Sequence, residues 1–208
     1  MQSKNLKNII VVDDDRSIRV VISTALTRAG YNVKSSGTAA GMRRLVESDF
    51  ADIIITDVGL PDGDALDVLP KLQHMKPKLK IIVMSARTTL LTAVRAKKKG
   101  AFEYLPKPFD LDELLNLVSN TFSEHNNIGI KDKITLPKNI YDSGPVVGKS
   151  MAMQEIYKLI SRLVNTNLNL LILGESGTGK KLIAKSIHDL SSINHKLFLN
   201  LNMDTFDD

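Results

Sequence analysis

Four short apolar segments in the first half of the chain each run directly into polar or charged side chains. They are residues 8–12 before Asp13 and Asp14, residues 52–56 before Asp57, residues 81–84 before Ser85, and residues 102–106 before Lys107. Short apolar runs rich in Ile and Val are typical of buried strands. In an open parallel sheet, ligands bind at the carboxyl ends of the strands. The pattern therefore predicts one crevice that holds three carboxylates, a hydroxyl and an ammonium.

Carboxylates crowded into one crevice repel one another and resist ionisation, and a hard cation relieves that repulsion. The same crevice, with a hydroxyl and a lysine, suits the oxygens of a phosphate group. The sequence therefore predicts a site for Mg²⁺ and phosphate at the carboxyl edge of the sheet, with Asp13, Asp14 and Asp57 among its ligands.

Helix-like segments alternate with the strand-like ones throughout the first half. The predicted helices cover residues 17–29, 38–47, 65–75, 88–99 and 110–122, and one further strand covers residues 31–34. Pro70 lies inside the third of these helices, where a missing backbone donor is expected to bend or delay it. Strand and helix in regular alternation favour right-handed crossovers and a doubly wound parallel α/β sheet.

The second half contains a glycine-rich loop between a predicted strand at residues 169–173 and a predicted helix at 182–190. Backbone N–H groups of such a loop cradle phosphates at a helix N-terminus, and the loop lysine reaches them. The predicted cofactor-binding residues are Gly174, Glu175, Ser176, Gly177, Thr178, Gly179 and Lys180. Residues 123–144 before this segment are polar and interrupted by proline and glycine, which indicates an interdomain linker.

Residues 1–122 resemble a response-regulator receiver domain, the CheY-like module of two-component signalling. The resemblance rests on the polar strand ends described above, on Asp-Val-Gly-Leu-Pro at 57–61 and on Lys-Pro-Phe at 107–109. It implies the flavodoxin-like strand order 2-1-3-4-5. It also implies that Asp57 is the phosphoacceptor, that the backbone carbonyl of Gly59 joins the metal ligands, and that the Lys107–Pro108 bond is cis. Ser85 and Tyr104 are implied as switch residues, with Tyr104 moving inward when Ser85 binds the phosphoryl group.

Residues 145–208 resemble the first part of the AAA+ domain of sigma-N-dependent activators. The match rests on Val-Gly-Lys-Ser at 147–150, Met-Gln-Glu-Ile-Tyr at 153–157 and the glycine-rich loop. With the receiver in front, the whole chain resembles NtrC-type nitrogen-regulation response regulators, most of all the alphaproteobacterial form. Lys181 departs from the pattern, because P-loops generally place a Mg²⁺-binding Ser or Thr there and this family generally places Glu.

The resemblance implies a longer ATPase domain and then a helix-turn-helix DNA-binding domain, whereas this sequence stops at Asp208. Residues 197–204 match a strand of the family that precedes the Walker B strand, and no sensor or arginine finger can be located. We therefore expect a truncated output domain with incomplete ATPase machinery, and hence no enzyme activity. ATP is expected to bind weakly if at all.

The function that these features predict is phosphorylation of Asp57 by an NtrB-like sensor histidine kinase. A homodimer is expected through the face formed by helix 88–99, strand 102–106 and helix 110–122. DNA and sigma-N RNA polymerase are expected as partners only in a full-length form. Two alternatives stay open. The chain could be a phosphate sink or interaction partner for a kinase or a full-length regulator, or a fragment of an ATP-driven activator.

Composition sets limits on location and chemistry. The chain has no cysteine, which excludes disulfides, thiolate ligands and thiol nucleophiles. No apolar run reaches membrane-spanning length, so a cytoplasmic location with no membrane partner is expected. The formal charge is +5, and the one dense basic cluster is Lys97, Lys98 and Lys99. That cluster could contact a partner or nucleic acid, but a solvated helix end is the preferred interpretation.

Overall fold

A computed structural model describes residues 7–86, 89–123, 150–164, 166 and 168–201. The chain forms two compact units, and the first contains a five-stranded sheet. The strands of the chain are β1 (Asn8–Val12), β2 (Asn32–Ser36), β3 (Ile53–Asp57), β4 (Gly59–Leu60), β5 (Gly63–Asp64), β6 (Lys80–Ser85) and β7 (Glu103–Pro106). Strands β4 and β5 form a separate two-residue antiparallel hairpin.

The five sheet strands lie in the order β2-β1-β3-β6-β7, and every neighbouring pair is parallel. Without the short hairpin this is the predicted order 2-1-3-4-5, which is confirmed. The order reverses direction at β1 and β3, so the crevice at their carboxyl ends is the switch point of the winding.

The five helices before residue 124 match the predicted ones to within two residues at each end. They are α1 (Arg16–Arg28), α2 (Ala39–Glu47), α3 (Ala65–Met75), α4 (Leu90–Lys98) and α5 (Leu111–Ser123). Pro70 does not delay α3, which begins at the predicted residue and runs through the proline. Thr88, the predicted start of α4, and the linker at 124–144 lie outside the described residues. Among the described residues, no helix is long and apolar enough to cross a membrane.

One large part of the core of the first unit lies between the sheet and helices α1 and α5, and α2 and α3 bury further apolar side chains such as Met42 and Leu69. Strands β1, β3 and β6 are buried along nearly their whole length, as expected for a parallel sheet covered on both faces. One apolar cluster joins them to the helices through Ile22, Leu26, Leu114 and Val118. Burial of each such side chain stabilises the fold by about 1.5–3 kcal/mol. This core is the rigid base on which the strand ends are held.

The second unit contains α6 (Met151–Leu163) and α7 (Lys180–Leu190). Ser150 caps α6 by accepting the N–H of Met153 at 3.3 Å. Tyr157 and Ile160 on α6 pack with Ile183 and Ile187 on α7 in an apolar cluster. Two amphipathic helices therefore cover each other's apolar faces in this unit.

The predicted strands at 169–173 and 197–204 are not formed in the described residues, so this part of the prediction is wrong. Residues 168–175 and 197–201 have no regular secondary structure, and residues 202–204 lie outside the described part. A strand needs a neighbour to pair its backbone N–H and C=O groups, and the described residues of this unit provide none. Their leucines consequently face solvent: Leu171, Leu173 and Leu197 are 80%, 80% and 81% exposed.

We predict that backbone amides of residues 168–175 and 197–201 exchange with solvent much faster than those of β1, β3 and β6. The physical reason is that the first group has neither ladder hydrogen bonds nor apolar cover, whereas the strands have both. Hydrogen exchange followed by mass spectrometry on the whole chain measures this directly. Equal protection in the two groups would contradict the difference in packing.

Candidate functional site

Lys107 joins two carboxylates at the carboxyl edge of the sheet. Its Nζ lies 2.6 Å from Oδ2 of Asp13 and 2.8 Å from Oδ1 of Asp57. Asp13 follows β1, Asp57 ends β3 and Lys107 follows β7, so three separate strands contribute to one ion-pair cluster. Asp13 is fully buried at 1% exposure, whereas the side chain of Asp57 is 14% exposed, so Asp57 is the acid that is open to the solvent side of the crevice.

The ammonium of Lys107 is held in its charged form by this cluster. Burial alone lowers the pKa of Lys107, but the hydrogen bonds to Asp13 and Asp57 and the charges of both carboxylates outweigh burial and raise its pKa above the ordinary value. The lysine therefore remains an ammonium throughout the neutral range. It offers a fixed positive charge to any anion that approaches Asp57.

Backbone groups fix the second oxygen of each acid. Oδ2 of Asp57 accepts the N–H of Gly59 at 3.0 Å, and Oδ1 of Asp13 accepts the N–H of Asp15 at 3.0 Å. Asp15 in turn caps α1, because its Oδ1 accepts the N–H of Ser17 at 2.7 Å. Each carboxylate is thus held by a lysine on one side and by its own loop on the other.

Arg19 is a residue of this region that the sequence did not single out. Its guanidinium Nη1 donates to the backbone carbonyls of Asp13 and Asp14, the latter at 3.0 Å. It also approaches Gly37, where a Cβ would lie only 3.0 Å from Nη1. The signal that could have found it is its position one turn into the helix after the acidic pair, facing back toward the loop.

Ser85 and Tyr104 lie together beside the cluster. Both are buried, with 2% and 1% of their surface exposed, and their side chains are hydrogen-bonded to each other. The backbone of Ser85 also accepts the N–H of Lys107 at 2.8 Å. Burial raises the pKa of Tyr104 to about 12, the hydrogen bond to Ser85 opposes that shift, and the charge of Asp57 adds to it. Tyr104 is therefore already inside the molecule in this structure.

The oxygen donors predicted for a metal have the right chemistry but are not gathered into one cluster. Among the described residues, no group of three or more His, Cys, Asp or Glu side chains is arranged to hold a metal ion. Lys107 stands between Asp13 and Asp57, and Asp14 is exposed. Carboxylate and carbonyl oxygens are nevertheless the ligands that Mg²⁺ prefers, so the donor set fits that ion.

The glycine-rich loop of the second unit is closed on its own lysine. Nζ of Lys180 donates to the backbone carbonyls of Gly174 and Glu175 at 2.9 and 2.6 Å. Gly177 and Gly179 have φ values of 81° and 87°, a region that favours glycine, and Gly179 precedes the first residue of α7. The backbone thus makes the turn that a phosphate loop needs, with the lysine turned back onto the loop.

The lysine cluster at 97–99 is tied to neighbouring elements. Lys97 donates to the carbonyl of Phe102 and lies 3.6 Å from Oε1 of Glu103, and Lys99 lies 3.1 Å from Oδ1 of Asp67. Burial lowers the pKa of Lys98. The cluster therefore lies at a helix end, as expected, but its side chains are half-buried and paired within the fold, so the expectation that they are solvated is wrong.

Two family patterns match the chain. The family described as "Response regulator receiver domain" matches residues 9–119, and the family described as "Sigma-54 interaction domain" matches residues 146–208. The first match covers more than half of the chain and includes every residue of the Lys107 cluster. The second begins at Val146 and includes the glycine-rich loop.

Curated relatives match over nearly the whole chain. The DNA-binding transcriptional regulator NtrC of Bradyrhizobium sp. (strain RP501 Parasponia) is 46% identical over 94% of this chain and 40% of its own length. NtrC of Rhizobium meliloti is 44% identical, and NtrC of Escherichia coli K12 is 37% identical over 93% of this chain. The chain thus spans about 40% of the length of the curated relatives it matches.

Solved structures match the first unit. The beryllofluoride-activated NtrC4 receiver domain dimer is 32% identical with a TM-score of 0.54, over 57% of this chain and 98% of that one. A CheY-like receiver domain protein from Methanospirillum hungatei is 29% identical with a TM-score of 0.56, over 58% of this chain and 96% of that one. The fold predicted from the strand ends is therefore confirmed.

The raised pKa of Tyr104 predicts a loss of stability in alkali. An unfolded tyrosine ionises near pH ~10, whereas folded Tyr104 stays neutral up to pH about 12. The contribution of Tyr104 to the free energy of unfolding is fully present below the unfolded pKa. It is lost as the pH rises from the unfolded pKa to the folded one, by up to about 3 kcal/mol. Urea unfolding of wild type and Tyr104→Phe across this window measures the effect. The free energy of unfolding of Tyr104→Phe should fall less steeply with pH than that of wild type. Equal slopes for the two proteins would contradict the burial of an un-ionised phenol.

Proposed function

Because this chain belongs to the response regulators, with a receiver domain followed by a segment of a sigma-54 interaction domain, we propose that it accepts a phosphoryl group on Asp57 from a sensor histidine kinase. The observation that carries the proposal is the environment of Asp57. One of its oxygens pairs with Lys107 at 2.8 Å, and the other accepts the N–H of Gly59. These two contacts fix the orientation of the carboxylate at the end of β3 and place a positive charge beside it.

The chemistry is nucleophilic displacement at phosphorus. A carboxylate oxygen of Asp57 forms the new bond to phosphorus while the phosphorus–nitrogen bond of the donor phosphohistidine breaks. The departing imidazole keeps the bonding electrons and takes up a proton from solvent. A small acyl phosphate reacts in the same way with a carboxylate as leaving group. Lys107 neutralises the charge that gathers on the phosphoryl oxygens.

Asp13, Asp14, Asp57 and the backbone carbonyl of Gly59 would hold Mg²⁺, which would further neutralise the phosphate charge. The protein's own contribution is to orient the acids. Asp13 is fixed by Lys107 and by the N–H of Asp15, so it presents its oxygens in one direction. The exposure of Asp14 leaves that carboxylate open to solvent and to an incoming cation.

The switch proceeds through Ser85 and Tyr104. Ser85 ends β6, the strand that pairs with β3 and hence lies next to Asp57, and its side chain is hydrogen-bonded to Tyr104. When it turns to bond a phosphoryl oxygen, its bond to Tyr104 is lost or shared, and the tyrosine environment changes. This is a shift between two arrangements of one fold, selected by the phosphoryl group's contacts.

The proposed setting is nitrogen regulation in the cytoplasm, since the relatives are DNA-binding transcriptional regulators named NtrC. The partners are an NtrB-like kinase and a second copy of the receiver, joined through α4, β7 and α5; the NtrC4 receiver in the comparison is described as a dimer. DNA and sigma-54 RNA polymerase are partners of a longer form. A phosphate sink that competes for kinase phosphoryl groups is the second candidate, because the receiver crevice serves that role without any output domain.

Asp57→Asn tests the acceptor. Incubation of the wild-type chain with Mg²⁺ and acetyl phosphate should add one acid-stable, base-labile phosphoryl group, and the variant should gain none because an amide is not a nucleophile. Intact-mass spectrometry measures the gain. Asp52→Asn is the matched control, since Asp52 is an exposed carboxylate just before the other end of β3. Equal labelling of Asp57→Asn and the control would overturn the assignment.

We further propose that the glycine-rich loop binds Mg-ATP only weakly and does not hydrolyse it. Lys180 is already engaged with the carbonyls of Gly174 and Glu175, so a phosphate must displace those bonds. Lys181 stands where the loop usually carries a Mg²⁺-binding hydroxyl, and it brings a positive charge instead. The loop also lacks a paired strand beneath it in the described residues.

Calorimetric titration of the whole chain with Mg-ATP is therefore expected to show no micromolar binding, and phosphate release should equal the buffer background. Lys180→Ala should leave both results unchanged, with Lys185→Ala as a matched control on the same helix. Micromolar affinity for Mg-ATP, or ATP turnover that disappears in Lys180→Ala, would contradict the proposal. Either result would favour the alternative hypothesis of an ATP-driven activator.

A further inference from the structure

The turn between β4 and β5 is fastened to the start of α2 by one carboxylate. Oδ1 of Asp62 accepts the N–H of Ala39 at 2.8 Å, and Oδ2 accepts the N–H of Ala40 at 2.8 Å. Asp62 is separated from them by 23 and 22 positions in the chain. Both oxygens of an exposed side chain are thus used for one long-range contact, and charge-assisted bonds of this kind are the strong ones.

This contact completes the N-terminus of α2. The first four N–H groups of a helix have no partner within the helix. In α2 the third donates to Oγ1 of Thr38 at 3.1 Å and the fourth to the carbonyl of Thr38 at 3.0 Å. The first two N–H groups, those of Ala39 and Ala40, donate to the carboxylate of Asp62. The backbone hydrogen bonds from Ala40 and Ala39 lower the pKa of Asp62, so it is ionised at neutral pH. A helix N-terminus favours that negative charge.

The tethered turn is also the loop that carries the groups next to Asp57. It leaves β3 at Asp57, passes Gly59, turns at Asp62 and enters α3 at Ala65. Its base is fixed by Val58, whose N–H bonds the carbonyl of Met84 and whose own carbonyl accepts the N–H of Ala65. The tip is fixed by Asp62. Between these anchors lies Gly59, whose N–H orients the acceptor carboxylate.

We propose that Asp62 is a positioning residue for phosphoryl transfer: by clamping the tip of this loop to α2, it holds Gly59 and the Asp57 carboxylate in the reactive arrangement. The proposal rests on Asp57 being the phosphoacceptor. Asp62 itself touches neither acid of the cluster and takes no part in bond formation. Its effect passes through the hairpin, because a displacement of a reacting group by about 1 Å can slow a reaction by roughly a hundredfold.

Asp62→Asn tests the clamp at its acceptor. The amide keeps one oxygen, but its NH₂ group would face the second backbone N–H, so at least one of the two bonds is lost. The rate of phosphorylation by acetyl phosphate is expected to fall about tenfold. The amide signals of Ala39, Ala40 and Gly59 should all move in nuclear magnetic resonance spectra. A change at Gly59 is the readout that loss of a helix cap alone would not produce.

Ala39→Pro tests the same clamp from its donor, without altering the acceptor loop. Proline is well accepted at the first position of a helix, and Thr38 before it is extended, as a residue before proline prefers. The variant removes the N–H that Oδ1 of Asp62 accepts. It is expected to slow phosphorylation and to move the Gly59 signal, and the double variant should be no slower than Asp62→Asn.

Asp49→Asn is the matched control. Asp49 is another exposed carboxylate with a lowered pKa, caused by its hydrogen bond to Lys76, and its φ of 58° suits asparagine. It lies between α2 and β3, at the amino edge of the sheet. The proposal would be overturned if Asp62→Asn is phosphorylated as fast as this control and the amide signal of Gly59 does not move. Failure of wild type to be labelled would instead refute the assigned function, and the Gly59 signal would still decide whether the clamp exists.

Discussion

The ion-pair cluster of Lys107 with Asp13 and Asp57 is the interaction on which the function of this molecule depends. It joins the ends of three strands that are far apart in the chain: Asp13 and Lys107 are separated by 94 positions. Its members can meet only because β1 and β3 are neighbours and β7 lies one strand beyond β6. The parallel order of the sheet is therefore the structural requirement for the chemistry.

The energetics of the cluster explain why its members are fixed. Burial opposes the charged form of Lys107, and two carboxylates reverse that effect and raise its pKa. Below the unfolded pKa of lysine this arrangement contributes its full stability, and the contribution is lost as pH rises through the raised folded value. A lone buried acid such as Asp13 would be costly without the ammonium. The lysine thus places one positive charge between two carboxylates in a partly buried crevice.

The loops around the cluster give it direction. The backbone N–H groups of Gly59 and Asp15 bond the second oxygen of Asp57 and of Asp13. Arg19 fixes the backbone that follows β1, and Asp62 fixes the tip of the hairpin that follows β3. These contacts are local to the carboxyl edge of the sheet. The apolar strands beneath supply a rigid base. Small displacements at the carboxyl edge of the sheet are therefore passed on to Ser85 and Tyr104.

Much of the first unit could be predicted from the sequence, because its strands are apolar runs that end in polar residues. The bounds of β1 at residues 8–12 are the predicted ones, and the crevice that gathers Asp13, Asp57 and Lys107 follows from the strand ends. The strand order came from the family resemblance. Asp62 could not be found in this way, because its partners lie 22 and 23 positions away and nothing in the local sequence marks the contact.

The second unit was predicted less well for a physical reason. Periodicity identifies a helix from its own residues, and α7 was found in this way, but a strand exists only if another strand pairs with it. Residues 169–173 carry a strand pattern without a partner in the described part of the chain and remain irregular. Helix α6 was not predicted, although Ser150 and the apolar spacing from Tyr157 to Ile160 signal it.

Chemical trapping of the phosphorylated residue tests the central claim most directly. Borohydride reduces an aspartyl phosphate to homoserine, and peptide mass spectrometry then identifies the modified position. After treatment of the whole chain with Mg²⁺ and acetyl phosphate, the cluster around Lys107 predicts homoserine at position 57 and at neither Asp13 nor Asp14. Homoserine at one of those two acids, or none at position 57 in a chain that has gained a phosphoryl group, would contradict it.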